Sequence, residues 1–148
     1  MFFMGEIYFF NEDEQNTFQL PNESKTKLWI KKVVDSFQTS IREINYIFCS
    51  DEYLLSINQE YLQHDTLTDI ITFDYREEKN GSLEGEIYIS IERVEDNAKD
   101  LGVSFEDELD RVIIHGILHL LGYKDETEEE ERQMRNLEDK CLLMRKAI

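Results

Sequence analysis

The chain has 148 residues, which is enough for one domain with a buried core, and we expect a single domain over residues 1–148. With 41% hydrophobic and 33% charged residues it has the balance of a soluble globular protein, and its longest apolar run is too short to span a membrane. Residues 1–10 lack the basic start of a secretory signal, and two cysteines, Cys49 and Cys141, suit a reduced compartment as small core residues. Composition therefore argues against a membrane or secreted protein and favours a cytoplasmic one.

The formal net charge of −17 is unfavourable for a protein that binds nucleic acid through a broad basic surface, because phosphate neutralisation supplies most of that affinity. Acidic residues concentrate in segments 12–14, 106–110 and 126–131. A polar patch could still bind a phosphodiester, since distant acidic faces are screened over about 8 Å at physiological salt. The sequence therefore predicts weak, salt-sensitive binding to free nucleic acid.

Two strands and two helices are predicted in the first 62 residues. Residues 6–10 are rich in β-formers and residues 43–49 alternate apolar and polar side chains, so both predict strands. A turn at residues 21–24 precedes the first helix, and Ser50 resembles the N-cap of a second helix over residues 51–62.

The first helix carries an apolar side and a basic cluster. Its apolar side is defined by residues that recur at intervals of four, Trp29, Val33 and Phe37. The basic cluster consists of Lys25, Lys27, Lys31 and Lys32. This cluster is either a solvated outer face or one edge of a nucleic-acid groove.

A loop over residues 63–68 follows the second helix. It contains His64, which is either an ordinary loop histidine or an auxiliary acid, base or ligand. Thr68 and Asp69 close this loop and either line a cleft or cap the loop.

A hairpin is predicted next. Residues 69–75 are rich in Ile and Thr and predict a buried strand, and residues 86–90 predict the antiparallel strand that follows. The polar segment 77–85 between them contains Asn80-Gly81, a strong hairpin signal.

Three helices are predicted in the last third of the chain. Residues 90–100 form the first, Ser104 with Asp107 predicts a capped start of the second, and Thr127 with Glu130 predicts a capped start of the third. The sequence therefore predicts an α+β fold: a small mixed β-sheet of about four strands, packed by helices, with the helix after Ser104 at its centre.

This central helix contains two of the three histidines in the chain, His115 and His119. A spacing of four places both imidazoles on one face, about one turn apart, so both can reach a single ion. Gly122 follows the last apolar pair and predicts a left-handed helix end, beyond which Asp125 can approach the histidines. Two imidazoles and one carboxylate, with a position open for water, are typical of a catalytic metal site. The alternative is that the histidines are hydrogen-bonded core residues.

Two neighbours of His115 refine this hypothesis. Gly116 stands where a zinc protease of the His-Glu-x-x-His type carries its general base, which argues against peptide hydrolysis. Gly116 predicts either a close approach of backbone or substrate beside the metal, or tight helix packing. Arg111 lies one turn before His115 and either contacts a phosphate or forms an ion pair with Asp107 or Asp110.

The sequence resembles a known family. The central helix contains the run His115-Gly116-Ile117-Leu118-His119-Leu120-Leu121-Gly122-Tyr123, which resembles the signature His-Gly-x-Leu-His-Leu-x-Gly-Tyr-Asp-His of the YbeY family of bacterial metallo-endoribonucleases. A second match comprises Asn58, Tyr61, Thr68, Asp69, Ile70 and Phe73, and the segment Gly85-Glu86-Ile87-Tyr88-Ile89-Ser90 resembles the family strand Gly-Asp-Ile-x-Ile-Ser. The resemblance covers essentially the full length of the chain.

The sequence departs from the family pattern at three positions. Asp125 stands where the third metal ligand of the family is usually a His, and Lys124 where the family often has Asp. A carboxylate can also bind zinc, although two imidazoles and a carboxylate resemble the ligands of non-haem iron enzymes as well. Leu62 replaces an Arg that the family often carries.

The resemblance implies a YbeY-like domain whose fold is the one predicted above, with a metal at one end of a cleft. It implies one zinc ion, or another divalent metal, bound by His115, His119 and Asp125. It implies a single-strand-specific endoribonuclease that acts at the 3′ end of 16S ribosomal RNA and in ribosome quality control. The expected partners are ribosomal RNA and the ribosome or its proteins, with no DNA and no membrane.

The chemistry leaves alternatives open. Either water activated by the metal or the adjacent 2′-hydroxyl attacks phosphorus, and the sequence identifies no general base. Two other classes of protein also fit the site: a different metal enzyme with the same three ligands, and a ribosome-associated binding factor whose metal is structural.

Overall fold

The computed structural model describes residues 5–13, 17–62 and 68–148. Within these residues four strands form one sheet, and five helices pack on it. The elements in chain order are β1 (Glu6–Asn11), α1 (Glu23–Ser36), β2 (Ile41–Cys49), α2 (Asp51–Leu62), β3 (Ile70–Asp74), β4 (Leu83–Ser90), α3 (Ile91–Leu101), α4 (Phe105–Leu120) and α5 (Glu128–Lys146). The predicted α+β fold with a four-stranded sheet is confirmed.

The sheet is mixed, with the strand order β1-β2-β4-β3. β1, β2 and β4 run parallel, and β3 pairs antiparallel with β4 at the edge of the sheet. The parallel strands β1 and β2 are joined through α1, since parallel neighbours need a long crossover connection. One side of β3 therefore stays unpaired within the described sheet, and this open edge becomes one wall of the cleft described below.

The connection from β3 to β4 corrects one detail of the predicted hairpin. The hairpin itself is confirmed, but residues 83–85 belong to β4 rather than to the turn. A tight two-residue Asn-Gly turn needs positive φ at both residues, and neither Asn80 nor Gly81 has it. Instead Gly81 N–H donates to the carbonyl of Glu78 within a longer connection. Arg76 anchors this connection, because its guanidinium binds Asp74 and donates to the carbonyl of Leu120 at the end of α4.

Helices cover both faces of the sheet. On β4 the side chains alternate, with Leu83, Ile87 and Ile89 buried against the face that α1, α4 and α5 share. The opposite face carries a smaller apolar cluster that includes Leu54 and Ile57 of α2. The fold thus has a large core on one face and a minor core on the other.

α4 is the central helix of the large core. It contacts α1, α3, α5, β3 and β4. The side chain of Ser104 accepts a hydrogen bond from the N–H of Asp107 and so caps the helix start as predicted. Buried Tyr46 of β2 donates its hydroxyl proton to the carbonyl of Ile113 at 2.9 Å, which ties the middle of α4 to the sheet.

Two helix ends and the two cysteines also agree with what their sequence patterns indicate. Thr127 and Glu130 form a capping box at the start of α5, and Gly102 ends α3 with a φ of 69°. Cys49 and Cys141 are free and buried, as expected of core residues. Of the helices in the described ranges, none combines the length and apolar composition that a membrane crossing requires.

Asp110 of α4 generates a pH-dependent prediction. Burial raises the pKa of Asp110 to about 6 against its ordinary 3.8, although Arg145, whose Nε lies 3.7 Å from Asp110 Oδ2, acts in the opposite direction. The folded state therefore binds this proton more tightly than the unfolded state, and the contribution of Asp110 to stability falls as pH rises from about 4 to about 6. Between these pH values the contribution of Asp110 to the free energy of unfolding should fall by at most about 3 kcal/mol.

Asp110→Asn should remove this decrease in stability, because the amide does not titrate. Urea midpoints measured between pH 4 and pH 7 check the effect. Asp35→Asn, which removes an exposed carboxylate of α1, controls for the change in net charge. Parallel pH profiles for Asp110→Asn and the wild type would contradict the prediction.

Candidate metal centre

A cleft of about 360 Å³ opens between the end of α2, the free edge of β3 and the last turns of α4. Its lining residues are Asn58, Leu62, Thr68, Asp69, Ile70, Ile71, Thr72, His115, His119 and Asp125. Of the two alternatives that the sequence left open for Thr68 and Asp69, the structure supports the lining of a cleft.

The three predicted ligands meet in this cleft. Asp125 Oδ2 lies 3.3 Å from His115 Nε2 and 3.5 Å from His119 Nε2. One donor atom from each of the three residues lies within 4.8 Å of the others. The side chains of His115, His119 and Asp125 are 18%, 27% and 39% exposed, so the cluster is partly open to solvent.

The chain reversal after α4 brings Asp125 to the histidines. Gly122 has a φ of 108°, a conformation that glycine adopts without strain. Its N–H donates to the carbonyl of His119, and the N–H of Tyr123 donates to the carbonyl of Leu118, which is the hydrogen-bond pattern of a Schellman motif. The predicted left-handed helix end is confirmed, and it is the local structure that turns the chain back towards the histidines.

Gly116 packs α4 tightly against the sheet. A Cβ at this position would lie 3.0 Å from the side chains of Ile70 and Ile87, which is closer than an ordinary contact. Of the two explanations that the sequence left open, the structure supports helix packing. The absent side chain lets the histidine-bearing helix approach β3 and β4.

Glu138 of α5 is the residue that the sequence did not identify. Its Oε2 lies 2.6 Å from His115 Nδ1, and its side chain is buried. The one available signal was its position in the apolar stripe of α5, where buried Met134 and Cys141 precede and follow it. A carboxylate in such a stripe needs a partner, but the sequence does not say which one.

Arg111 also binds Glu138. Its guanidinium donates to Glu138 at 2.8 Å and to Asp139 at 2.7 Å. Arg111 therefore forms ion pairs, but the predicted partners Asp107 and Asp110 are wrong. The reason is that α5 packs against α4 and supplies carboxylates that lie far away in the sequence. Contact of Arg111 with a phosphate stays a prediction, and Arg111 does not line the cleft that contains His119.

The pKa values of the two histidines shift in opposite directions. Burial lowers the pKa of His115, but the hydrogen bond and the charge of Glu138 outweigh it and raise the pKa above its ordinary value. Burial and the neighbouring charge of His115 lower the pKa of His119, with Asp125 acting in the opposite direction. Burial also raises the pKa of Asp69, the other carboxyl group that lines the cleft.

Two further candidates from the sequence have different outcomes. His64 falls outside the described residues. The lysine cluster of α1 does not line the cleft, and its residues are exposed or half-exposed, which supports the interpretation as a solvated face. Leu62, which stands where the family often has Arg, does line the cleft.

The donor set fits a divalent cation. Imidazole nitrogens and a carboxylate oxygen are ligands for zinc and for other transition metals, and three protein ligands leave coordination positions for water or substrate. Fold and site together define a class: a small α+β protein with a candidate centre of two histidines and one aspartate in an open cleft.

The chain belongs to the YbeY family. The family model described as endoribonuclease YbeY matches residues 10–145. The endoribonuclease YbeY of Cytophaga hutchinsonii is 51% identical over 140 residues, which cover 95% of this chain and 96% of that protein. The endoribonuclease YbeY of Flavobacterium johnsoniae is 52% identical over 134 residues, covering 90% and 95%.

A solved structure is also similar. The solution structure of TM1509 from Thermotoga maritima superposes with a TM-score of 0.65 at 27% sequence identity. The superposition covers 95% of this chain and 89% of that one, so the similarity extends over the whole fold.

Proposed function

We propose that the protein is a metal-dependent endoribonuclease that cleaves single-stranded RNA with one divalent cation, zinc in the first instance, bound by His115, His119 and Asp125. The observation that carries the proposal is the convergence of these three donors in an open cleft, in a chain that belongs to the YbeY family. As a member of that family the protein is a hydrolase of RNA phosphodiester bonds, acting as one domain over residues 1–148.

The partial exposure of the three donors supports a catalytic role for the metal over a structural one. Structural zinc is usually enclosed by four protein ligands, whereas catalytic zinc keeps a position for water. Here three donors face a cleft that is open to solvent. A cation bound there would polarise a phosphoryl oxygen and lower the pKa of a bound water towards about 7.

The residues around the donors shape the substrate position. β3 presents its free edge to the cleft, and Leu62 and Ile71 add apolar surface beside the polar side chains of Thr68 and Asp69. An unpaired strand of RNA can place its backbone in such a cleft, whereas a duplex presents a wider and more rigid surface. This geometry supports single-stranded RNA as the substrate.

Membership of the YbeY family is the basis on which we propose a cellular role. We propose maturation of the 3′ end of 16S ribosomal RNA, participation in ribosome quality control, association with the ribosome or its proteins, and a cytoplasmic location. Such association would compensate for the repulsion between RNA and a chain with a net charge of −17.

Arg132 and Arg135 of α5 are the cations best placed to contact phosphates. They lie beside His115 and Asp125, in a second depression of about 480 Å³ on the α5 side of the centre. Neither forms an ion pair within 4.0 Å in the described part of the chain. The five other arginines bind carboxylates instead, namely Arg42, Arg76, Arg93, Arg111 and Arg145. Arg132 and Arg135 could therefore bind the RNA backbone without first breaking an ion pair.

His119→Ala should abolish cleavage of single-stranded RNA and leave the fold largely intact, because it removes a metal donor that is partly exposed. Cleavage of a labelled oligoribonucleotide and thermal unfolding check the two effects. Glu126→Ala, which removes an exposed carboxylate next to the centre, is the control and should cleave normally. If the wild type does not cleave and His119→Ala simply unfolds, a binding factor with a structural metal becomes the better explanation.

Asp125→His should retain the metal, because it introduces the ligand that the family usually has at this position. Metal content is measured by elemental analysis after purification without added ions, which also identifies the native metal. Unfolding of this variant, or loss of the ion, would contradict Asp125 as the third ligand. Iron in place of zinc would support a different metal enzyme.

The double variant Arg132→Ala, Arg135→Ala should raise KM for RNA with little change in kcat, and lower the salt dependence of binding by about one unit of slope per arginine. Steady-state cleavage at several salt concentrations checks both effects. The control is Lys25→Ala, Lys32→Ala, which changes the net charge equally but lies on α1. Equal effects of the two double variants would mean that only overall charge matters.

A further inference from the structure

The hydrogen bond between His115 and Glu138 selects one tautomer of the imidazole. In a neutral imidazole one ring nitrogen carries the proton and the other carries a lone pair. An ionised carboxylate only accepts hydrogen bonds, so the contact of 2.6 Å places the proton on Nδ1 of His115. The lone pair then lies on Nε2, the nitrogen that is 3.3 Å from Asp125 Oδ2.

Arg111 determines which oxygen of Glu138 serves His115. Nη1 of Arg111 donates to Oε1 at 2.8 Å, and Oε2 remains for the imidazole. The side chain of Glu138 is only 8% exposed, and burial of a carboxylate is costly unless a cation and hydrogen bonds compensate for the lost water. Arg111 supplies both, while its other contact, Asp139, lies at the surface.

We propose that Glu138 and Arg111 are positioning residues of the metal centre: Arg111 orients the carboxylate of Glu138, and Glu138 holds His115 in the tautomer that binds a metal through Nε2. This inference rests on the proposed metal site and assigns roles to two residues that do not themselves reach it. Ligand histidines commonly donate their second N–H to a carboxylate, and loss of that partner weakens metal binding by about 10- to 100-fold.

The contacts of Arg111 favour the positioning of Glu138 over direct binding of a phosphate. Arg111 does not line the cleft, and it lines another depression together with Glu108, Asp110 and Arg145. Its guanidinium already binds two carboxylates. Arg111 therefore acts on the metal centre through Glu138 rather than on the substrate.

Glu138→Gln should invert the tautomer of His115 while changing little in volume. Arg111 can only donate, so the amide oxygen will take the position of Oε1 next to Arg111. The amide NH₂ then occupies the position of Oε2 and donates to Nδ1. This arrangement forces the proton onto Nε2 of His115, which leaves no lone pair there for a metal.

A second substitution should reverse the effect. In the double variant Glu138→Gln, Arg111→Met the amide is free to rotate, and its oxygen can accept from Nδ1 again. We expect the double variant to recover the Nδ1–H tautomer and to bind zinc more tightly than Glu138→Gln alone. The effects of the two substitutions on zinc affinity would then not add, which would show that Glu138 and Arg111 position His115 together.

The experiment measures two quantities for each variant. Imidazole ¹⁵N shifts of the metal-free protein at alkaline pH, where the ring is neutral, report the tautomer of His115. Competition with a chelator reports zinc affinity, which should fall about 10- to 100-fold in Glu138→Gln. Asp139→Asn is the matched control, since it removes a carboxylate that binds Arg111 without touching His115, and both quantities should stay at their wild-type values.

The outcomes are distinct from those that test the proposed function. An Nε2–H tautomer in the wild type would overturn the inference without any variant. Wild-type tautomer and zinc affinity in folded Glu138→Gln would also overturn it. If the wild type has the Nδ1–H tautomer but binds no zinc, the metal assignment fails while the hydrogen-bond geometry stands. The expected tautomers and affinities together would support both.

Discussion

The packing of α4 against the sheet is the constraint on which the rest of the site depends. Gly116 lies directly against Ile70 and Ile87, and the helix contacts three other helices as well as two strands. Because α4 is held on so many sides, its two histidines project into the cleft from a rigid support. A metal centre needs this rigidity, since its donors must be held within about 0.5 Å of the geometry that binds the ion.

α5 completes the centre from outside the cleft. It follows the reversal at Gly122, packs back along α4, and places Glu138 against His115 and Arg111. This packing also explains how an acidic chain tolerates a buried carboxylate, because a guanidinium and an imidazole surround it. The strongly negative composition is therefore not uniform in space. Near the centre α5 presents Arg132 and Arg135, which form no ion pair with any residue that the structure describes, while much of the negative charge lies on exposed segments.

Local patterns predicted the elements well, and each agreement has a local cause. The caps at Ser104 and Thr127 and the left-handed residue at Gly122 depend on hydrogen bonds within a few positions of the chain. The Asn80-Gly81 pair correctly indicated a hairpin, but the turn is longer than this dipeptide usually makes. Its geometry depends on Arg76 reaching the end of α4, a contact between residues 44 positions apart.

The sequence by itself determined the α+β class, the central helix, and the three candidate ligands, because helical spacing and a glycine helix end act over short distances. Only the tertiary structure decided the partner of Arg111, the presence of Glu138 at His115, and the separation of the α1 lysines from the cleft. These features depend on how α5 and α1 pack on α4. Glu138 lies 23 residues after His115, and no helical or strand periodicity relates positions so far apart. The ligands are thus encoded locally, whereas their hydrogen-bonded support is created by folding.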